Sequence, residues 1–482
     1  MSNRTGSALP APSPMAGKNQ PVEWLFVYKF NGASFPGCDN GVYPTPGTPG
    51  IFGGTVQTYP AGHSQQYVFA TSKNPALVKG TGCVGATPND PLGATFGQVY
   101  NTPGYFYVLW NDQFYGNPIA TQSSPWGHSK GMVAWNDAGE GFVMQVSTPS
   151  WPGSASSVNP RMNDGNTLGC VSSDDDIEVA QHFFALKINK SDLSSILKAL
   201  INSSVVTDIT QPEIVQNGGP SDIQALVNQL GKQSSSTAAT MVTLSSGVQL
   251  ISKPSALNVP VWQMVSAKLN SLPMRVASWW ASPQIYSTDG KSMPSCWSAS
   301  LGKPGPVEIA TTGNWAGTTI GLEGGDGDGY NHAKIGISKD SSKPVCVFGD
   351  MNQQGGLCPG YAYANQKCNS SQNGRGGTFY VLNNAALFKS LSQLLAGQSA
   401  PVKPVTPDGT SSSVTGTAPA SSPTGTKTAS KKKAPVKKKS KTSAKKTAKA
   451  KRKLAPKNKK AKPASKAKKT AVKKKAKKKT RR

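Results

Sequence analysis

Short apolar runs broken by Gly, Pro and Asn set the rhythm of the chain. Val22–Phe30 (VEWLFVYKF) reads as a first buried strand, and residues 36–65, rich in Gly, Pro and Thr, as a long surface excursion. Tyr67–Ala70 and Tyr105–Trp110 read as strands. Met132–Trp135 and Phe142–Ser147 form a predicted hairpin around Asn136-Asp137-Ala138-Gly139. Helical patterns follow over roughly 175–187, at Leu193–Ile201 and at 221–230. Ser191 is a candidate N-cap, with Asp192 adding negative charge to that helix's first turn. Val242–Ile251 reads as a strand pair and Val261–Leu269 as a helix. Lys334–Ser338 and Val345–Phe348 read as strands flanking a turn, and Asn384–Leu395 as a closing helix. Strands alternating with helices predict an α/β layer structure. The second half repeats the order of the first, as an internal duplication would.

Charge divides the chain differently. Residues 427–482 hold 29 of the 52 Lys and Arg and no Asp or Glu, so the remainder carries 23 basic groups against 23 acidic ones. An electrically balanced body thus precedes a polycation. A like-charged block of this length repels itself and is expected to be disordered, with polyanions as its partners. Four segments follow: a loose N-terminus (1–20), a body (21–397, in halves of about 21–210 and 211–397), a flexible Pro/Ser/Thr linker (398–426) and the tail (427–482). Met1 to Gln20 has no apolar core of a secretory signal, and no run of about 18 apolar residues predicts a membrane span. An intracellular setting, or export by a route the sequence does not show, is expected. A homodimer stays open.

Seven cysteines stand at 38, 83, 170, 296, 346, 358 and 368. None forms a C-x-x-C pair and no His lies at zinc-finger spacing, so no structural metal is expected. Cys346, Cys358 and Cys368 are close enough for a local disulfide in an oxidising compartment. Buried thiols have equal standing.

The chemistry concentrates in two stretches that read alike, 204 residues apart: Gly127-His128-Ser129-Lys130-Gly131 and Asn331-His332-Ala333-Lys334-Ile335. Each sets a His and a Lys two places apart before an apolar run. Alternate side chains of a strand share a face, so each pair can point the same way. Two imidazoles and two ammoniums around one anion suit phosphodiester cleavage without a metal or other cofactor. Asp350 and Asn352, after the strand Val345–Phe348, are placed to orient an imidazole or accept from a lysine. Asn111 and Asp112 form a polar cluster at another strand end. Gly374-Arg375-Gly376-Gly377-Thr378 reads as a loop able to approach a phosphate, with Arg375 as a clamp. Asp326-Gly327-Asp328-Gly329 lacks the remaining ligand positions of a calcium loop and reads as a turn. His63 has no partner pattern. His182, in a helical apolar run, reads as structural.

These residues resemble deoxyribonuclease II, a distant branch of the phospholipase D superfamily. The resemblance rests on VEWLFVYK (22–29), Asn-Asp-Gln (111–113), GHSKG (127–131), STPSWP (147–152), LGCVS (168–172), His332-Ala333-Lys334, CVFGDMN (346–352) and RGGT (375–378), in the family's order. It implies a pseudo-dimeric α/β fold of duplicated halves with one active site between them. It also implies metal-independent endonucleolytic cleavage of double-stranded DNA, often best at acid pH, to 3′-phosphate ends through a phosphohistidine. His128, Lys130, His332 and Lys334 match its catalytic positions. Asp350 and Asn352 match its Gly-Asp-Met-Asn segment. The family's further histidine before 147–152 is replaced by Gln145-Val146, its secretory signal is absent, and its cysteine set is matched only at Cys170, Cys296 and Cys346.

On this reading His128 attacks phosphorus and protonated His332 serves the leaving 5′-oxygen, an assignment that stays open to exchange. Lys130 and Lys334 hold the non-bridging oxygens. The tail resembles linker-histone and bacterial histone-like repeats and would tether the body to DNA. Two other readings compete: a histone-like DNA-compacting protein with a degenerate nuclease body, and a phosphodiesterase acting on phospholipid.

Overall fold

The computed structural model describes residues 9–41, 43–58, 62–161, 167–170, 175–279, 286–357 and 367–402. The tail, most of the linker, Cys358 and the end of the LGCVS segment lie outside the described residues. The chain divides into two units, Met1–Ser412 and Ser413–Arg482, and every described residue belongs to the first.

The first unit is a mixed α/β protein dominated by sheet. Eight strands build the first sheet: β1 (Trp24–Lys29), β2 (Tyr67–Thr71), β3 (Val78–Lys79), β4 (Phe106–Asn111), β5 (Lys130–Trp135), β6 (Gly141–Val146), β7 (Gln181–Ile188) and β8 (Val215–Gln216). Their order is β3-β2-β1-β7-β6-β5-β4-β8, antiparallel throughout. The later strands are β9 (Thr240–Thr243), β10 (Gln249–Lys253), β11 (Met274–Ala277), β12 (Val307–Ile309), the separate hairpin β13 (Thr312–Trp315) and β14 (Thr318–Gly321), β15 (Ile335–Ser338), β16 (Val345–Gly349) and β17 (Gly377–Asn383). The second sheet runs β12-β11-β15-β16-β17-β10-β9. The same walk appears in both sheets: β1-β7-β6-β5-β4 in the first, β10-β17-β16-β15-β11 in the second. Among the described residues five α-helices, α1 (Pro91–Tyr100), α2 (Lys190–Asn202), α3 (Ser221–Val227), α4 (Val261–Lys268) and α5 (Ala385–Leu394), pack with the sheets.

The sheets meet through aromatic rings on their central strands. Phe26 and Phe184 are cross-strand partners on β1 and β7, and Phe348 and Tyr380 on β16 and β17. Phe348 stacks on Phe26 at 4.7 Å and on Phe184 at 4.5 Å between ring centroids. Each such pair contributes about 0.5–1.5 kcal/mol beyond the area it buries. On the other face of β7, Phe183 meets Trp151, which packs on Phe96 of α1.

Most predicted strands and helices stand where the pattern put them. The helix expected over 175–187 does not: Asp175–Ile177 is a short 3-10 turn and Gln181–Ile188 is the central strand β7. A central strand covered on both faces loses its alternation, and its continuous apolar run then mimics a helix. His182 therefore lies on a strand. The cap of α2 is Asn189, in a reciprocal capping box with Asp192, and Ser191 lies inside the helix. The unassigned stretch after β3 contains α1, capped by Asp90 with Pro91 in its first turn. Only part of the RGGT segment is loop, because Gly377 opens β17.

Both ends of the body are tied down. Ser13 and Met15 donate backbone N–H groups to Gln98 and Thr95 of α1, so residues 9–20 are not loose. Ala400 donates to Ile309 of β12, so the packed body runs past 397. Among the described residues the disulfides are Cys38–Cys83 and Cys296–Cys368; Cys346 is a buried free thiol and Cys368 pairs with the distant Cys296, so the local disulfide among Cys346, Cys358 and Cys368 does not form between Cys346 and Cys368. No helix among the described residues is long and apolar enough to cross a membrane.

Candidate active site

Each His–Lys pair stands where a loop becomes a central strand. Lys130 opens β5, and Lys334 immediately precedes β15. The histidines are pinned by the opposite sheet. The His128 N–H donates to Gly376 O, and the His332 N–H donates to Ala180 O, each at 2.8 Å. Those acceptors immediately precede β17 and β7. The four side chains line one cavity of about 680 Å³, together with Asn352 and Arg375.

His128 is nearly buried, and its Nδ1 lies 2.8 Å from the backbone oxygen of Asp350. A carbonyl only accepts, so Nδ1 carries the hydrogen and Nε2 keeps the lone pair. Burial, then Lys130, pulls this imidazole well below its ordinary pKa, although Asp112 opposes the shift. His332 is half-buried, with its ring edge-on to Trp279 at 6.0 Å. Burial first, then Lys334 and Lys130, lowers it too, against a hydrogen bond with the Gly325 backbone. Both shifts favour the neutral ring before an anion enters. A phosphate's negative charge favours protonation of the ring it approaches.

The two lysines are not equivalent. Lys130 Nζ lies 2.6 Å from Asp112 Oδ1, and Arg375 Nη2 lies 2.8 Å from Asp112 Oδ2. All three side chains are at most 4% exposed, so one buried carboxylate neutralises one of two buried cations. Burial pushes the Asp112 carboxyl up, but Lys130 and Arg375 outweigh it and hold it well below the carboxylate range. Lys334, in contrast, has no ion pair or side-chain hydrogen bond among the described residues. Burial, then Lys130, pulls its ammonium down to about 7. Lys130 faces Asn111 across the β4–β5 ladder. Ala277 faces Ile335 in the β11–β15 ladder, and that register, continued one residue past the ladder, would set Ser278 opposite Lys334. The next residue is Asp112 in the first sheet and Trp279 in the second.

The remaining sequence candidates divide by role. The carboxylate of Asp350 touches neither lysine. It accepts from Ser129 at 2.5 Å, from Thr378 Oγ1 at 2.6 Å and from Gln145 Nε2 at 2.7 Å, and it orients His128 only through its main-chain oxygen. Burial raises its pKa against these donors. Asn111 donates to Trp151 O at 3.0 Å and braces the segment after β6. Asn352 lines the cavity and donates to Gln354 at 3.1 Å. Arg375 also donates to the carbonyls of Trp126 and Gly127, so its guanidinium ties the second sheet to the His128 loop. The neighbouring glycine permits a close approach to the end of α2, since a Cβ on Gly376 would lie 2.1 Å from Ser203 O.

Sequence reasoning passed over several residues. His182 accepts from the Lys334 N–H through Nδ1 at 3.2 Å. Gln145, standing where the expected further histidine is lost, holds Asp350. Lys29 and Lys253, both fully buried, grip backbone carbonyls beside the site. Among the described residues no three His, Cys, Asp or Glu side chains converge as a metal-ligand set.

Comparison with known proteins bears on the chain as a whole. The family model for deoxyribonuclease II matches residues 54–400. Cell-death-related nuclease 7 of Caenorhabditis elegans is 25% identical over 280 residues, covering 55% of this chain and 66% of that protein, just under two thirds of its length. With nearly the whole body matched by the family model, the chain belongs to the deoxyribonuclease II family.

Proposed function

We propose that the protein is an endonuclease that hydrolyses double-stranded DNA without a divalent metal, leaving 3′-phosphate ends. The observation that carries this reading is the convergence of both His–Lys pairs on one cavity, with each histidine pinned by the opposite sheet. The shared strand walk and these crossed hydrogen bonds support a pseudo-dimer of duplicated halves with one site between them.

His128 attacks phosphorus through Nε2, since its Nδ1–H is held by a carbonyl. The P–O5′ bond breaks as His332, protonated as the phosphate enters, gives its proton to the leaving oxygen. Water then attacks the phosphohistidine, with His332 taking the proton, and the 3′-phosphate leaves. Lys334 stabilises the non-bridging oxygens, because its ammonium has no carboxylate beside it. Lys130 faces the same cavity from its pair with Asp112. Needing one neutral and one protonated ring, the reaction follows a bell-shaped pH profile. The described disulfides suit an oxidising compartment. The tail, with 29 cations in 427–482, raises the local concentration of a neutral body at DNA.

The test is plasmid nicking in EDTA from pH 4 to 8. It compares the full chain, a chain ending at Ser412, His128→Ala and His332→Ala. Cleavage by the first two and loss of at least about 10³-fold in both substitutions is expected. Strong activity in either substituted protein refutes the assignment. DNA retardation with no cleavage by the full chain would instead favour a compacting scaffold.

A further inference from the structure

We infer that Lys29 and Lys253 are a matched pair of positioning residues, each fixing the backbone carbonyl that holds the opposite sheet's histidine. The inference rests on the nuclease reading above only for its effect on rate.

Each lysine closes the first strand of the shared five-strand walk, and each is fully buried. Their registers correspond: Lys29 faces Gln181, the first residue of β7, and Lys253 faces Gly377, the first residue of β17. From those positions the ammoniums reach the segments just before these strands. Lys29 Nζ donates to the carbonyls of Asp176 and Ile177 at 3.1 Å and of Val179 at 2.5 Å. Lys253 Nζ donates to Asn373 O and Arg375 O at 2.8 Å, and to Pro254 O at 3.3 Å. In both cases the next carbonyl is the one that receives a catalytic histidine. Ala180 O follows Val179 and accepts from His332. Gly376 O follows Arg375 and accepts from His128.

Charge-assisted bonds to carbonyls are about twice as strong as neutral ones, so an ammonium gripping alternate carbonyls restrains the peptide that follows. Hydrophobic packing alone would not favour a fully buried lysine at this place. Its recurrence at equivalent positions points to a shared task. Lys253 holds His128, and Lys29 holds His332, each from across the molecule. Neither ammonium touches the cavity, so both act through the peptide they clamp.

The experiment uses the full chain with Lys29→Met and Lys253→Met, which keep the stem and remove the donors. Lys253→Gln, retaining one donor, is a milder companion should the Met variant not fold. The readout independent of activity is the backbone amide signal of histidine in [15N]His-labelled protein, which has only four such residues. Lys253→Met, or Lys253→Gln, is expected to shift His128 and leave His332 in place; Lys29→Met is expected to do the reverse. Cleavage by each folded variant should lose roughly 10²-fold in kcat with KM within about threefold, as a misplacement near 1 Å would cause. Equal shifts of both histidines, no shift in folded protein, or a loss confined to KM would overturn the inference. A parent protein with the crossed shift pattern on substitution but no nuclease activity would instead count against the proposed function and leave the positioning role standing.

Discussion

Asp112→Asn is the sharpest perturbation available at the site. It removes the carboxylate lying 2.6 Å from Lys130 and 2.8 Å from Arg375, both almost completely buried. The geometry changes little, but the local charge goes from one net positive to two. Breaking a buried pair by removing one partner costs about 3–5 kcal/mol, because the surviving charge stays desolvated. With an unfolding entropy near 2.1 cal/mol/K per residue over about 400 residues, this lowers Tm by roughly 4–6 °C. Catalysis suffers separately: Arg375, which holds the His128 loop through the Trp126 and Gly127 carbonyls, loses the carboxylate that fixes its guanidinium, and displacement of His128 lowers kcat by about 10²-fold. Differential scanning calorimetry and initial nicking rates measure the two effects. A cycle sharpens the test. Lys130→Met leaves Asp112 paired with Arg375 and should cost less than Asp112→Asn. The double variant should recover part of the Tm lost in Asp112→Asn. A Tm within about 1 °C of the parent, or strictly additive losses, would show that this carboxylate does not carry the local charge balance.

Two further outcomes follow from the buried titratable groups. Burial, then Lys334, lowers the His182 pKa from 6.5 to about 3. Stability from keeping this ring neutral is present above its unfolded pKa and is lost as pH falls from about 6.5 toward 3, by about 5 kcal/mol at most. His63, lowered to about 4, acts in the same direction, while Asp90, raised to about 6 by burial, acts in the opposite one. His182→Asn, which keeps an acceptor near Nδ1, should shrink the fall in Tm between pH 7 and 4; an unchanged fall refutes the assignment. Lys334, drawn down to about 7, carries its charge below that pH. Sulfate, dianionic across the range, should therefore raise Tm more at pH 6 than at pH 8, and Lys334→Met should abolish the difference.

Much of the site was legible because its signals are local. A His and a Lys two places apart before a strand share a face by pleat geometry alone, and Asn111-Asp112-Gln113 stands at a strand end in sequence and in space. What could not be read depends on distant partners. The choice of Asp112 as counter-ion to Lys130 rather than Asp350 follows from the β4–β5 register, and Asp350 is engaged instead by Ser129, Gln145 and Thr378. Lys29 falls inside a run read as a buried strand and Lys253 just past another, with nothing local to mark either as a brace; only the folded chain puts carbonyls from 147 and 120 residues away around them. β7 was misread because burial on both faces erased its alternation. β17 was half hidden because its opening glycines resemble a loop. The start of α1 was available from Asp90-Pro91, an acidic cap before a first-turn proline.

Under the proposed cleavage, the difference between Asp112 and Trp279 would set the direction in which a strand can lie. Two histidines held by mirrored braces would otherwise receive a phosphodiester equally well either way round, and half of all encounters would present the leaving oxygen to the wrong ring. A carboxylate beside one lysine and an indole beside one histidine make the two ends of the cavity unlike. A preference of only about 1.4 kcal/mol between the two orientations gives a tenfold bias. Under that reading, polarity of the cut strand, and with it which product keeps the phosphate, would rest on two side chains rather than on the fold that repeats around them.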